Sequence, residues 1–346
     1  MNLKKEKLSK MKEYIVDLCE IPSPSGFTKK VENYLLNKFR KFDYNPDLTH
    51  KGSVVVDLGG SGKPLVLAAH IDTLGAMVRS IKDNGRIRFT KIGGYPANNI
   101  EQENCLVHTR DGKEYSATIQ LCKPSTHVYN DINEIKRDDE SLEIVLDEIV
   151  NSKDDVKDLG IKSGDFISFY PRTVITKSGY IKSRHLDDKA SAGILLELAR
   201  MIKEKDLNLN RKVYLVFTSY EEVGHGGASG IPEDIIEMIS VDMGAVGDDL
   251  ETDERKVSIC AKDSGGPYDY DLTTKLINVA ESNKLNYAVD IYPYYGSDVD
   301  VTLRSGFDIK HGLIGPGVFA SHGYERTHEE GLKNTLELLL NYLINN

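Results

Sequence analysis

The chain has 346 residues, 40% hydrophobic and 28% charged, which is ordinary for a globular protein of about two domains. Its formal net charge is −10, from 44 basic and 54 acidic residues, so neither nucleic acid nor an anionic membrane is expected as a partner. No apolar stretch approaches the roughly 18 residues of a membrane span, and the N-terminus lacks the apolar core of a signal peptide. We therefore expect a cytoplasmic protein.

The first predicted elements are two helices and two strands. Apolar residues at helical spacing predict amphipathic helices over Leu3–Cys19 and Val31–Phe39, separated by the turn Pro22–Gly26. Strands are predicted at Ser53–Leu58 and Pro64–Ala69. The second strand is a continuous apolar run, which is typical of a buried parallel strand.

The pattern changes in the next part of the chain. Between residues 76 and 125, short alternating segments are separated by Asp83-Asn-Gly85 and Asp111-Gly112, which are hairpin signals. The charged stretch Ile132–Leu159 is predicted to be helical, and Asp165–Tyr170 is predicted to be a strand. These segments together indicate a small β-rich unit.

The rest of the chain returns to alternating strands and helices, with predicted helices at Ala190–Ile202 and Asn334–Ile344. We interpret residues 75–171 as a β-rich domain inserted between two parts, 1–74 and 172–346, of one catalytic domain. The predicted fold class is α/β, with a mixed, mostly parallel central sheet flanked by helices.

Five short polar clusters contain the candidate functional residues: His70-Ile71-Asp72, Asp187-Asp188, Glu221-Glu222, Asp242 and His322. The first, third and fourth follow apolar runs that predict buried strands, at residues 64–69, 213–217 and 239–241. In an open α/β sheet the ligand site lies outside the carboxyl ends of the strands. Side chains distant in sequence are therefore expected to meet at one edge of the sheet.

The four cysteines do not suggest a sulfur-ligated site. Cys19, Cys105, Cys122 and Cys260 form no C-x-x-C pair, and we expect buried free thiols in a reducing compartment. A metal ion would therefore be bound by carboxylate oxygen and imidazole nitrogen.

The residue types of the clusters suit two divalent ions. Holding two ions without cysteine takes histidine and several carboxylates, one of which bridges. In the adjacent pair Glu221-Glu222, one side chain can bind metal while its neighbour faces the water as general base. Asp72, two residues after His70, is expected to accept the ring N–H of that histidine.

With these motifs the chain resembles the tetrahedral and glutamyl aminopeptidases, a family of cytoplasmic two-metal peptidases. The resemblance is carried by Pro24-Ser-Gly26, Ala69-His-Ile-Asp-Thr-Leu-Gly75, Leu186-Asp-Asp-Lys189, Glu221-Glu-Val-Gly224, Val241-Asp-Met243, Gly296-Ser-Asp298 and Ser321-His-Gly-Tyr-Glu325. It implies that His70 and Asp242 bind one ion and that Glu222 and His322 bind the other. It further implies that Asp187 bridges the two ions and that Glu221 is the general base.

The position of the insertion agrees with this family. Asp72 and Asp187 are 115 residues apart (187 − 72), which leaves room for an inserted domain, whereas Asp242 and His322 are only 80 apart (322 − 242). Deacylase and carboxypeptidase relatives have their lid domain in the later interval. The resemblance implies that the insertion, too peripheral to supply ligands, forms dimers that assemble into a hollow tetrahedral dodecamer admitting short peptides.

The family pattern is not matched at every position. The loop His225-Gly-Gly-Ala228 lacks the arginine that is usual in the family. Lys189 stands where the family usually has a second arginine, after Asp187-Asp188. Gly323-Tyr324 follows the last histidine, where the family often has Ser-Pro. These differences leave the preferred N-terminal residue open. An acidic group at Ser297-Asp298 could receive the α-ammonium of a peptide or could simply form a turn.

Three readings of the function remain at this point. The first is a metal-dependent aminopeptidase, with Zn²⁺ expected and Co²⁺ or Mn²⁺ possible. The second is an N-acyl amino acid deacylase or another amide hydrolase on the same site. The third is a catalytically silent assembly or binding protein, although Glu221 and Asp187 are both present. An endoglucanase is disfavoured, because glycosidases normally use a carboxylate pair without metal.

Overall fold

The computed structural model describes residues 5–344, so the first two residues of the helix expected at Leu3–Cys19 lie outside the described part. Seven α-helices occur within 5–344: α1 (Lys5–Glu20), α2 (Lys29–Lys41), α3 (Lys153–Asp158), α4 (Leu186–Glu204), α5 (Tyr270–Ser282), α6 (Asp298–Arg304) and α7 (Glu329–Ile344). Between residues 5 and 344, no helix is both long enough and apolar enough to cross a membrane.

The same part of the chain contains eighteen strands. They are β1 (Asp47–Leu48), β2 (Val54–Gly59), β3 (Leu65–His70), β4 (Gly75–Ile81), β5 (Ile87–Ile92), β6 (Asn104–His108), β7 (Glu114–Leu121), β8 (Leu142–Leu146), β9 (Phe166–Phe169), β10 (Val174–Ile175), β11 (Tyr180–Ser183), β12 (Val213–Thr218), β13 (Glu237–Val241), β14 (Gly244–Ala245), β15 (Val257–Lys262), β16 (Tyr287–Ile291), β17 (Lys310–Val318) and β18 (Glu325–His328).

The large sheet has the strand order β1-β2-β12-β3-β13-β17-β15-β16, and β14 pairs with β17. Four central neighbours, β12, β3, β13 and β17, run parallel to one another. The outer pairs β1–β2, β2–β12 and β15–β17 are antiparallel. The prediction of a mixed, mostly parallel sheet flanked by helices is confirmed.

Helices cover both faces of the central strands, which explains the continuous apolar run in β3. Leu65, Leu67 and Ala69 belong to the larger core cluster, which also contains the buried faces of α1, α4 and α7. Val66 and Ala68 point the other way and pack in a second cluster that includes Val299 of α6. A strand buried on both faces needs no polar alternation.

A closed antiparallel barrel, in the order β4-β5-β8-β7-β6-β9, occupies residues 75–169. Its interior is a separate hydrophobic cluster that includes Phe89, Val107, Ile119 and Ile144. The hairpins predicted at Asp83-Asn-Gly85 and Asp111-Gly112 are confirmed as the β4–β5 and β6–β7 connections. The barrel therefore has a core of its own, distinct from that of the large sheet.

The prediction of a helical stretch at Ile132–Leu159 is wrong. The chain forms strand β8 there, paired with β7 and β5, and the only α-helix in this stretch is α3. Leu142, Ile144 and Leu146 pack into the barrel core at every second position, which is the period of a strand. The acidic residues around them made the stretch look like a solvated helix.

The expectation of buried thiols is correct for three of the four cysteines. All four are free; Cys19, Cys105 and Cys260 are buried, whereas Cys122 is exposed beyond the end of β7.

The contact between α1 and α4 yields a stability prediction at Gly193. A Cβ atom at this position would lie 2.4 Å from Cγ1 of the buried Ile15. We expect Gly193→Ala to lower the free energy of unfolding by about 1–3 kcal/mol through overpacking, although alanine normally stabilises a helix interior by about 1 kcal/mol relative to glycine. Chemical denaturation followed by circular dichroism measures the change.

Gly247→Ala, at an exposed loop position, is the control for the same substitution without a close contact. A Cβ atom there has its nearest neighbour at 3.9 Å, Leu250 Cδ1, so no loss of stability is expected. Equal losses in the two variants would contradict the steric explanation.

Candidate metal centre

Three of the predicted clusters lie at the carboxyl ends of adjacent parallel strands. His70 is the last residue of β3 and pairs in register with Thr218, the last residue of β12. Glu221 and Glu222 follow β12 after two intervening residues, and Asp242 follows β13. The expected edge of the sheet is therefore the place where these side chains meet.

The other two clusters come from irregular backbone. Asp187 precedes the regular part of α4, with φ −78° and ψ 104°, and its peptide bond to Asp188 is cis. His322 lies in the loop between β17 and β18, with a φ of +62°. Asp187 nevertheless reaches His70 at the end of β3, and His322 reaches Asp187.

The Asp187 carboxylate lies between two imidazoles. Its Oδ1 is 3.0 Å from Nε2 of His70, and its Oδ2 is 3.3 Å from Nε2 of His322. Glu222 Oε2 lies 3.6 Å from the same nitrogen of His322, and Glu221 Oε2 lies 3.8 Å from Nε2 of His70. All of these predicted site residues are thus brought together.

Two triads of potential ligands have atoms within 4.8 Å of one another: His70 with Asp188 and Asp242, and His70 with Asp187 and Glu222. Asp188 is fully buried, and neither of its carboxylate oxygens has a hydrogen bond within residues 5–344. Buried carboxylates without partners are costly unless a cation compensates them. The oxygen and nitrogen donors therefore fit a divalent metal ion, and Asp188, to which the sequence assigned no role, joins the candidate ligands.

The pKa values show how much negative charge is buried here. Burial, and then the charge of Asp187, raises the pKa of Asp242 to about 7. Burial likewise raises the pKa values of Glu221 and Glu222 well above the usual range. For His322, burial opposes the charged form, but the hydrogen bond to Asp187 together with the charges of Asp187 and Glu222 outweighs it and raises the pKa to about 10. The cluster is short of positive charge, which a metal ion would supply.

The contacts of Asp72 differ from the prediction that its side chain accepts the ring N–H of His70. Nδ1 of His70 is 3.0 Å from the main-chain carbonyl of Asp72 but 3.7 Å from its carboxylate. The fully buried carboxylate instead accepts the backbone N–H groups of Glu221 and Glu222, at 3.1 and 3.3 Å, and the hydroxyl of Ser25. The loop after β12 leaves these N–H groups without strand partners, so Asp72 fixes the Glu pair rather than the histidine ring.

Glu325 supports the site in a way that the sequence did not reveal. One of its oxygens accepts the backbone N–H of Asp187 at 3.1 Å, and the other accepts that of His322 at 2.9 Å. Burial, followed by the charge of Asp187, raises the pKa of Glu325 to about 8. Its only signal in the sequence was its place at the end of the motif that begins at Ser321.

Lys189, which replaces the arginine of the family pattern, is fully buried. Its ammonium donates to the carbonyl of Ile71 at 2.6 Å and to the hydroxyl of Ser23 at 2.7 Å. Burial lowers its pKa to about 8. A compact ammonium is sufficient here because it ties α4 to the turn that follows His70.

A cavity of about 520 Å³ opens over the candidate ligands. Its wall includes Asp187, Glu221, Glu222, Asp242 and His322, together with Gly94 and Pro96 of the barrel segment and Tyr294, Ser297, Asp300 and Arg304 near α6. Asp298 does not line the cavity. It is buried against Gly226 and accepts a hydrogen bond from Thr218, which favours a structural role over a substrate contact.

A model of the M42 glutamyl aminopeptidase family matches residues 52–338 of the chain. The chain is 47% identical over 336 residues to the Bacillus subtilis (strain 168) protein named Putative aminopeptidase YhfE, covering 96% of this chain and 97% of that one. Among solved structures, a TET aminopeptidase of the marine sediment archaeon Thaumarchaeota archaeon SCGC AB-539-E09 has a TM-score of 0.88 at 20% identity, over 97% of each chain. The TET1 peptidase of Pyrococcus horikoshii, which can assemble into a tetrahedron or a large octahedral shell, has a TM-score of 0.86 at 23% identity, over 97% of this chain and 100% of that one.

The fold, with its inserted barrel, and the cluster of carboxylates and imidazoles at the sheet edge define a peptide hydrolase of the aminopeptidase class. The chain belongs to the M42 glutamyl aminopeptidase family, whose members are metallopeptidases. The family resemblance drawn from the sequence motifs is confirmed.

Proposed function

We propose that the protein is a metal-dependent aminopeptidase that uses two divalent ions to remove N-terminal residues from short peptides. Zn²⁺ is the first candidate, and Co²⁺ and Mn²⁺ are the alternatives. The observation that carries the proposal is the Asp187 carboxylate, whose two oxygens face the imidazoles of His70 and His322. A carboxylate in that position can contribute one oxygen to each of two ions.

The ligand assignment follows from this bridge. His70 and Asp242 would hold one ion, Glu222 and His322 would hold the other, and Asp187 would be shared. The close approach of His70, Asp188 and Asp242, and of Glu222 to His322, supports the division. When bound, two such ions polarise the scissile carbonyl and lower the pKa of a water molecule.

Glu221 is proposed as the general base. Its side chain lines the cavity, is 17% exposed, and has its Oε2 3.8 Å from Nε2 of His70. It can therefore take a proton from water in the cavity and return it to the departing amine. Asp72 contributes by fixing the backbone of the Glu pair, since its carboxylate accepts both N–H groups.

Removal and return of metal tests the proposal directly. We expect the chelated protein to lose hydrolysis of aminoacyl chromogenic substrates and to regain it with Zn²⁺, Co²⁺ or Mn²⁺. Elemental analysis of the reloaded protein should give two ions per chain. Full activity in protein shown to be free of metal would overturn the two-ion function.

Two variants separate the role of the base from that of the bridge. Glu221→Gln should retain both ions and lower kcat by about 10²- to 10⁴-fold, because only proton transfer is removed. Asp187→Ala should lose metal as well as activity, because both ions share its carboxylate. Each variant is the control for the other, and metal loss confined to Glu221→Gln would contradict the assigned roles.

We also propose that residues 75–171 form a dimerisation domain on a catalytic domain made of residues 1–74 and 172–346, in a cytoplasmic enzyme. The support is the closed barrel with its own core and the fold shared with a peptidase that assembles into a tetrahedron or an octahedral shell. By this likeness, dimers would build a closed homo-oligomer, with a tetrahedral dodecamer as the expected size. Such a particle would admit short peptides only.

Light scattering coupled to size exclusion tests the assembly. We expect one discrete particle of about twelve chains whose mass does not change on dilution through the micromolar range, because closed symmetry limits its growth. A stable monomer over that range would contradict the assembly while leaving the peptidase chemistry untouched.

A further inference from the structure

Arg184 is a buried arginine that joins the barrel segment to the loop of His322. Its side chain is 6% exposed, and its guanidinium lies 2.7 Å from the carboxylate of Glu103, which is 4% exposed. The same guanidinium donates to the main-chain carbonyl of Asn99 and, at 3.4 Å, to that of Gly323. The Arg184 side chain thus contacts Glu103 and Asn99 of the barrel segment and also Gly323, the residue after His322.

The barrel segment also contacts His322 itself. The side-chain amide of Asn99 donates to the main-chain carbonyl of His322 at 2.9 Å. The carbonyl of Gly94 lies 2.5 Å from Nδ1 of the His322 ring, which leaves Nε2 to face Asp187 and Glu222. The backbone and the ring of His322 are therefore both positioned from the barrel side.

His322 needs this external support more than His70 does. His70 ends a buried strand and is 2% exposed, whereas the side chain of His322 is 35% exposed on a loop. Ala320 and His322 both have positive φ values, of 59° and 62°. Such backbone conformations persist only when the surrounding structure enforces them.

We propose that Arg184, through Asn99 and the carbonyl of Gly323, is a positioning residue that holds His322 for one of the two metal ions. This inference depends on the proposed two-ion function. Its consequence is selective, because the hydrogen bonds of Arg184, Asn99 and Gly94 reach the loop of His322 and none of them reaches His70 or Asp242. Loss of Arg184 should therefore weaken one metal site and leave the other unchanged.

The test uses Arg184→Ala, and the full chain should still fold. Glu103 retains a second partner in that variant, because Arg172 lies 3.0 Å from the same carboxylate oxygen. Asn99→Ala, at a partly exposed position, removes the hydrogen bond to His322 without disturbing a buried charge. Arg184→Ala removes the contact with the carbonyl of Gly323, and Asn99→Ala removes the contact with the carbonyl of His322.

Arg137→Ala is the matched control. Arg137 also contacts one glutamate, Glu101 at 3.1 Å, and two main-chain carbonyls, those of Ile132 and Ile135 at 2.7 and 2.8 Å. All of these contacts lie within the barrel segment. The control therefore removes the same kinds of bond without touching the loop of His322.

Each protein is stripped of metal, titrated with Zn²⁺ by calorimetry, and analysed for zinc per chain after gel filtration. We expect two sites in the unaltered protein and in Arg137→Ala. In Arg184→Ala and Asn99→Ala we expect one of the two Kd values to rise by about 10- to 100-fold, the usual effect of removing a residue that orients a ligand.

Three outcomes would overturn the inference: two unchanged sites in Arg184→Ala, equal weakening in Arg137→Ala, or weakening in Arg184→Ala without any in Asn99→Ala. Fewer than two sites in the unaltered protein would instead refute the proposed function. The two failures are therefore distinguishable.

Discussion

The contact of Asp187 with His70 and His322 organises the whole functional edge of the protein. Two imidazoles approach the two oxygens of one carboxylate, at 3.0 and 3.3 Å, while Asp188 and Asp242 are buried nearby. Burying carboxylates without a compensating charge costs free energy. Two histidines cannot neutralise the cluster alone, which is why the raised pKa values of its acids and the unpartnered Asp188 agree with a site for cations.

The site requires backbone that is not regular, and buried polar side chains stabilise it. Tyr220, immediately before the Glu pair, has a φ of +68°, and His322 has a φ of +62°. Asp72 accepts the N–H groups of the loop after Tyr220, and Glu325 accepts those of Asp187 and His322. Each carboxylate thus satisfies N–H groups that no strand or helix could satisfy, as buried backbone groups require. The candidate ligands Glu222, Asp187 and His322 have a fixed backbone because Asp72 and Glu325 accept their N–H groups.

The sequence was informative where local pattern determines structure. The apolar runs before His70, Glu221 and Asp242 correctly predicted three parallel strands, and strand ends meet at one edge for topological reasons. Strand β8 was missed because its five residues are surrounded by charge, and its partners β5 and β7 are distant in the chain. The partners of Asp72 could not be predicted for the same reason. Its carboxylate accepts N–H groups about 150 residues away, and no periodicity reports such a pairing.

The inserted barrel segment contributes to the functional site although the sequence analysis expected it to supply no ligands. It supplies none of the candidate ligands, yet Gly94 and Pro96 form part of the cavity wall. Gly94 also faces the ring of His322, and Asn99 contacts its backbone. One part of the insertion therefore shapes the space that a peptide must enter, while the closed strands form an independently packed body. The barrel segment is thus joined by hydrogen bonds to one candidate ligand, His322, whose imidazole faces the Asp187 carboxylate.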